Sequence, residues 1–98
     1  MIQVRRTEVF NEWLARLKDE KAKAKVAARI DRLALGNPGD VKSVGGSVNE
    51  LRIDYGPGYR VYFTRRGKAV IILLAGGDKG SQEKDIRAAI GLAKTMKD

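Results

Sequence analysis

The sequence predicts a single α+β domain, ordered β-α-α-β-β-β-α around a mostly antiparallel four-stranded sheet. Three observations lead there. Two stretches of helical apolar spacing come first, followed by three strand candidates divided by glycine-containing turns, and then one more helical stretch. The chain has 98 residues, enough for one core and too few for two separate domains. No repeat, low-complexity tract or linker interrupts residues 1–98, and the 43% apolar content suits a folded globular domain.

The elements follow in order. Ile2-Gln3-Val4 reads as a short strand. Thr7 fits a helix N-cap, with Glu8 in the first turn where the helix dipole favours negative charge. Phe10, Trp13, Leu14 and Leu17 then recur at i, i+3, i+4 and i+7 as one apolar stripe. Asp19 fits a second N-cap. The helix after it turns Ala22, Val26, Ile30 and Leu33 inward and stops at Gly36-Asn37-Pro38-Gly39. The two helices are expected to form an antiparallel hairpin on the sheet. Residues 40–47 read as loop, with Gly45-Gly46 permitting unusual backbone angles. Strands are expected at 48–54, 58–65 and 68–75, the last two joined at Arg66-Gly67. Val70 to Leu74 is apolar on both faces, which suits a strand covered on both sides. Residues 76–80, GGDKG, read as a break, after which Ser81 caps a last helix with Ile86, Ile90 and Ala93 inward.

Composition narrows the function classes. Twenty Lys and Arg against twelve Asp and Glu leave a formal charge of +8, which favours a polyanionic partner such as nucleic acid; a merely soluble basic surface is the alternative. With no histidine and no cysteine, imidazole acid–base chemistry, His or Cys metal ligation and disulfides are all excluded. The carboxylates are scattered, so no metal site is expected, and no cofactor motif is present. There is no membrane-length apolar run and no signal-peptide pattern at the N-terminus, so a cytoplasmic location without a membrane partner is expected.

Three features carry possible chemistry. The first is ELRIDYGPGYRVYF, residues 50–63, with an arginine in each arm of a hairpin. Alternation puts Leu51 and Ile53 on one face and Glu50 and Arg52 on the other; in the next strand Val61 and Phe63 oppose Arg60 and Tyr62. For the apolar sets to share a core, Arg52 must pair with Arg60 and Glu50 with Tyr62, with both arginines on the face left open by the core. Like charges opposite each other repel. Either Glu50 or Asp54 neutralises them internally, or an anion such as phosphate sits between them. The second feature is Lys21, Lys25, Arg29 and Arg32, a cationic stripe at helical spacing that fits either a solvated face or phosphate-backbone contacts. The third is the glycine loop with Lys79, a weak candidate phosphate cradle that lacks Walker A spacing. Tyr55, Tyr59 and Tyr62 lie near the arginines, where they either stack on bases or pack.

The hairpin, the segments FNEWLARLKDEKAKAKVAARIDRLALGNPGD and KSVGGSVNELRI, and VIILLAGGDKGSQEKDI resemble the RelE/ParE superfamily of type II toxins over nearly the whole chain. Within it they are most similar to the HigB-like addiction module killer proteins. The resemblance implies a microbial-RNase-like α+β domain, a cognate antitoxin, and metal-free cleavage of mRNA on the ribosome by attack of a ribose 2′-OH on the adjacent phosphate. Arg60 matches the arginine of the family's YRLVY-like strand. Arg52 and Glu50 match active-site positions on the preceding strand, and Lys79 lies near a family cation. The basic stripe of Lys21, Lys25, Arg29 and Arg32 would then dock on ribosomal RNA. Many RelE-type nucleases carry a catalytic Tyr or His near the C-terminus, and from Phe63 onward this chain has neither. The expected assignment is Glu50 as base, with Tyr62 or Lys79 as donor. The alternative on the same fold is a non-enzymatic ParE-type inhibitor of DNA gyrase.

Overall fold

The structure is a computed structural model that describes residues 2–96. Strand β1 (Gln3–Arg6) leads to helices α1 (Glu8–Arg16) and α2 (Glu20–Ala34). Four strands follow: β2 (Val41–Gly45), β3 (Val48–Ile53), β4 (Tyr59–Arg66) and β5 (Val70–Asp78). A 3-10 turn (Lys79–Ser81) then enters α3 (Gln82–Thr95). The sheet has five strands in the order β1-β5-β4-β3-β2. β1 pairs parallel to β5, and the other pairs are antiparallel.

Both N-terminal helices begin where their caps require. The Thr7 hydroxyl accepts from the Phe10 N–H at 3.0 Å and donates to the Leu74 carbonyl at 2.7 Å, so one side chain starts α1 and pins it to β5. The Asp19 carboxylate accepts from the Lys21 and Ala22 N–H groups at 2.9 and 3.3 Å, opening α2.

Each sheet face has its own core. Phe10 of α1 and Val26, Ile30 and Leu33 of α2 pack on Leu51, Ile53, Val61, Phe63, Ile71 and Leu73. On the other face, Ala89 and Ala93 of α3 pack on Val48, Tyr62, Ile72, Leu74 and Ala75. Complete burial of a large apolar side chain contributes roughly 1.5–3 kcal/mol, so neither layer is incidental. The face carrying Glu50, Arg52, Arg60 and Tyr62 was expected to lie open. It does not, because the short Ala89 and Ala93 side chains let α3 settle onto it and bury Glu50 and Tyr62 completely.

Three local expectations change as well. Residues 41–45, expected as loop, form an edge strand, with Val41 opposite Leu51 and Lys42 opposite Glu50. Gly45, Gly46 and Ser47 all take positive φ in the turn that returns to β3. The expected break at Gly76-Gly77 is instead the end of β5, and the reason is steric. A Cβ on Gly76 would stand 2.2 Å from the Trp13 ring, and one on Gly77 would stand 1.9 Å from the Asp85 carboxylate. Bare backbone here lets α1 approach one face and α3 the other. A bulge makes this phasing possible. Tyr62 pairs with Ala75 but Phe63 pairs with Leu73, leaving Leu74 as the extra residue that turns Gly77 toward α3. Finally, Ser81 makes no capping bond to α3. Its hydroxyl bonds the Asp85 carboxylate, and Asp78 caps the 3-10 turn instead.

Candidate active site

The hairpin register is the one alternation requires: Arg52 faces Arg60, and Glu50 faces Tyr62. What neutralises the arginine pair is Glu50. Its Oε1 lies 3.5 Å from Arg52 Nε and its Oε2 lies 3.7 Å from Arg60 Nε. Gln82, in the first turn of α3, donates its Nε2–H to Oε2 at 2.7 Å. Glu50 is fully buried, and an unpaired carboxylate there would be prohibitively costly, so arginines and carboxylate hold one another in place.

Both ion pairs use Nε. Both arginines line a cleft together with Asp40, Asp54, Gly58 and Lys79. Arg60 Nη1 donates to the Gly58 carbonyl at 3.3 Å, which fixes its plane. Arg52 Nε also lies 3.7 Å from Asp40, at the entrance to the edge strand. The cleft volume is about 270 Å³, at the small end for ligand pockets, and its cationic side chains suit an anionic group such as a phosphate.

Lys79 reaches this cleft from the 3-10 turn and is exposed. The surrounding loop is not a free phosphate cradle. Asp78 already accepts from the Gly80 and Ser81 N–H groups at 2.8 and 3.3 Å. Tyr62 is wholly buried on the α3 side, and its hydroxyl lies near the Glu50 carboxylate without a hydrogen bond of ordinary geometry among the described residues. Burial first, and the nearby Glu50 and Asp85 carboxylates second, push its pKa far above the ordinary tyrosine value.

The α2 stripe divides into two roles. Arg29 donates to the carbonyls of Arg52, Pro38 and Asp40, clamping the loop after α2 against the end of β3. Lys21, Lys25 and Arg32 are exposed, and Lys25 lies over the Tyr55 ring at 5.2 Å. Tyr55 donates to Asp19 at 2.9 Å, and Tyr59 stands edge-on to Trp13, so both rings pack against the core on the α1 and α2 face. A groove lined by Lys25, Arg29 and Arg32 adjoins the cleft and shares Ile53 and Asp54 with it. Among the described residues, no cluster of three or more Asp or Glu could hold a metal ion, and no helix is long and apolar enough to cross a membrane.

Sequence reasoning missed Gln82 and Asp40 as site residues. Gln82 carries one faint signal, its place three residues after Lys79 at the start of a helix. Asp40 carries none, because its role depends on the unrecognised edge strand.

A basic α+β domain with an arginine pair lining a small polar cleft fits the toxin class indicated by the hairpin motifs. Residues 12–98 match the family described as Phage derived protein Gp49-like (DUF891), and the chain belongs to that family. It is a RelE/HigB-like toxin-type family, associated with the toxins of toxin–antitoxin pairs, and membership implies a cognate antitoxin as partner. The chain is also 52% identical over 95 residues to a protein of Haemophilus influenzae (strain ATCC 51907 / DSM 11121 / KW20 / Rd) described as an uncharacterized protein. That match covers 97% of this chain and 96% of the relative.

Proposed function

We propose that the chain is the toxin of a type II toxin–antitoxin pair and acts as a ribosome-dependent, metal-free endoribonuclease on mRNA. The observation that carries this reading is the Arg52–Glu50–Arg60 arrangement, in which a buried carboxylate lies at ion-pair distance from both Nε groups and both arginines line one cleft with Lys79. A single negative group entering there meets two forked donors and Lys79, the set needed to stabilise a phosphorane as negative charge builds on its oxygens.

The chemistry is attack of a ribose 2′-oxygen on the adjacent phosphorus with expulsion of the 5′-oxygen, leaving a 2′,3′-cyclic phosphate and a 5′-hydroxyl. Arg52 and Arg60 hold the non-bridging oxygens. Lys79, exposed in the cleft, gives a proton to the leaving 5′-oxygen; the buried Tyr62 hydroxyl is poorly placed to do so. Glu50 has both oxygens against Arg52, Arg60 and Gln82, so it serves to aim the guanidinium groups. Asp54 lines the cleft with no salt bridge among the described residues and takes the 2′ proton.

Translation in a reconstituted system, with primer extension along the mRNA, tests this. Arg60→Ala is expected to cut the cleavage rate about 10²–10³-fold, as loss of one transition-state donor does elsewhere. The absence of Tyr and His after Phe63 keeps one competitor in view, a ParE-like gyrase inhibitor. Uncut mRNA together with inhibited gyrase supercoiling would establish that competitor and overturn the nuclease.

A further inference from the structure

The surface around the cleft holds three hollows in a row. The groove beside α2 shares Ile53 and Asp54 with the cleft. The cleft in turn shares Lys79 with a third hollow along the first turns of α3, whose other cations are Lys84 and Arg87. Lys84 and Arg87 lie three residues apart on one helix face and are exposed, with no salt bridge among the described residues. Taken together, the three hollows are lined by eight cationic side chains and three carboxylates. That is a steeper excess than the twenty to twelve of the whole chain, and the hollow that adjoins both others is the one lined by the arginine pair.

We infer that the α3 groove, through Lys84 and Arg87, is a single-stranded RNA site that forms one strand track with the cleft and the α2 groove. It grips the strand on the side of the cleft opposite the α2 groove. This rests on the nuclease reading above and extends it. An enzyme that cuts within a strand gains from holding phosphates on both sides of the scissile one, since proximity helps only when the reacting groups are fixed. The α2 groove alone would hold one flank and leave the other free to swing out of line. The α3 groove supplies the missing flank, and Lys79 sits at its junction with the cleft. Its contacts are to phosphates, so they are independent of base sequence and sensitive to salt.

The probe is a single-stranded 2′-O-methyl RNA oligonucleotide, which has no attacking hydroxyl and stays intact, titrated by fluorescence anisotropy over a range of salt concentrations. Lys84→Ala/Arg87→Ala is expected to flatten the slope of log K against log salt by about 1.4, since each single-strand phosphate contact contributes about 0.7. A charge-matched control, Arg5→Ala/Lys68→Ala, removes two exposed cations on β1 and the β4–β5 turn and should leave the slope unchanged. Wild-type slope in the α3 double variant, or an equal loss in the control, overturns the α3 site while leaving the nuclease reading standing. Wild-type protein with no salt-dependent RNA affinity would overturn the α3 site as well, while the nuclease reading stands or falls on cleavage in the translation assay.

Discussion

Gln82 Nε2 donates to Glu50 Oε2 at 2.7 Å, so the start of α3 is tied to the carboxylate that spaces the two cleft arginines. Helix packing and arginine geometry are therefore one problem, which makes the centre of the site testable by stability as well as by activity.

Glu50→Ala should cost about 3 kcal/mol, because a buried ion pair broken on one side leaves an uncompensated charge. Most of that arises at Arg60, whose side chain is only 12% exposed; Arg52, at 38%, is better hydrated and contributes less. Equilibrium unfolding in urea measures it. A loss below about 1 kcal/mol would show that the arginines find other partners.

The two glycines at the end of β5 should differ in their tolerance of a methyl group. Gly76→Ala drives a Cβ into the Trp13 ring, which is wedged between Phe10 and Tyr59, and is expected to cost about 3 kcal/mol. Gly77→Ala meets the Asp85 carboxylate, the end of a side chain that can rotate away at the expense of its bond to Ser81, for about 1 kcal/mol. Thermal melting of the two variants gives the order, and the reverse order would contradict this packing.

Tyr62→Phe removes a buried hydroxyl that has no hydrogen bond of ordinary geometry among the described residues, so stability should stay within about 1 kcal/mol of wild type. Cleavage on the ribosome should also persist. A drop of about 10² or more would instead give Tyr62 a proton-transfer role.

The Asp19–Tyr55 hydrogen bond gives a signed pH effect. The Tyr55 hydroxyl, chiefly, holds the Asp19 carboxyl below its ordinary 3.8, and the same bond raises Tyr55 above 10.0. The contribution of a depressed carboxylate is complete above its unfolded pKa and is lost as pH falls through the folded value. The contribution of a raised phenol is complete below its unfolded pKa and is lost as pH rises through the folded value. Melting temperatures of wild type and Tyr55→Phe should therefore differ most between about pH 5 and 9 and converge at both extremes. A constant offset across pH would mean that the ring's packing, not the hydrogen bond, sets the difference.

Several features could be read directly from the residues. Thr7 and Asp19 were recognisable as caps because capping depends on atoms within three residues of the cap. The Arg52–Arg60 pairing followed from period-two alternation with one apolar face. Edge strand β2 was hidden because only Val41 and Val44 turn partly inward, too sparse a pattern to separate VKSVG from loop. The end of β5 was hidden because glycines that admit a tryptophan and an aspartate look like glycines that break a strand.

By itself, then, the sequence determined the helix starts, the hairpin register, the basic charge, and the presence of two guanidinium groups on the same face of neighbouring strands. All of these depend on short-range geometry or on simple counting. Only the tertiary structure decided what those arginines contact. Glu50 is buried because α3, thirty-two positions away at Gln82, closes over the face that alternation left unassigned. Arg29 leaves the cationic stripe because the carbonyls it binds belong to a different strand and loop. Burial and long-range partners follow from how layers pack, and no local pattern in the chain encodes them.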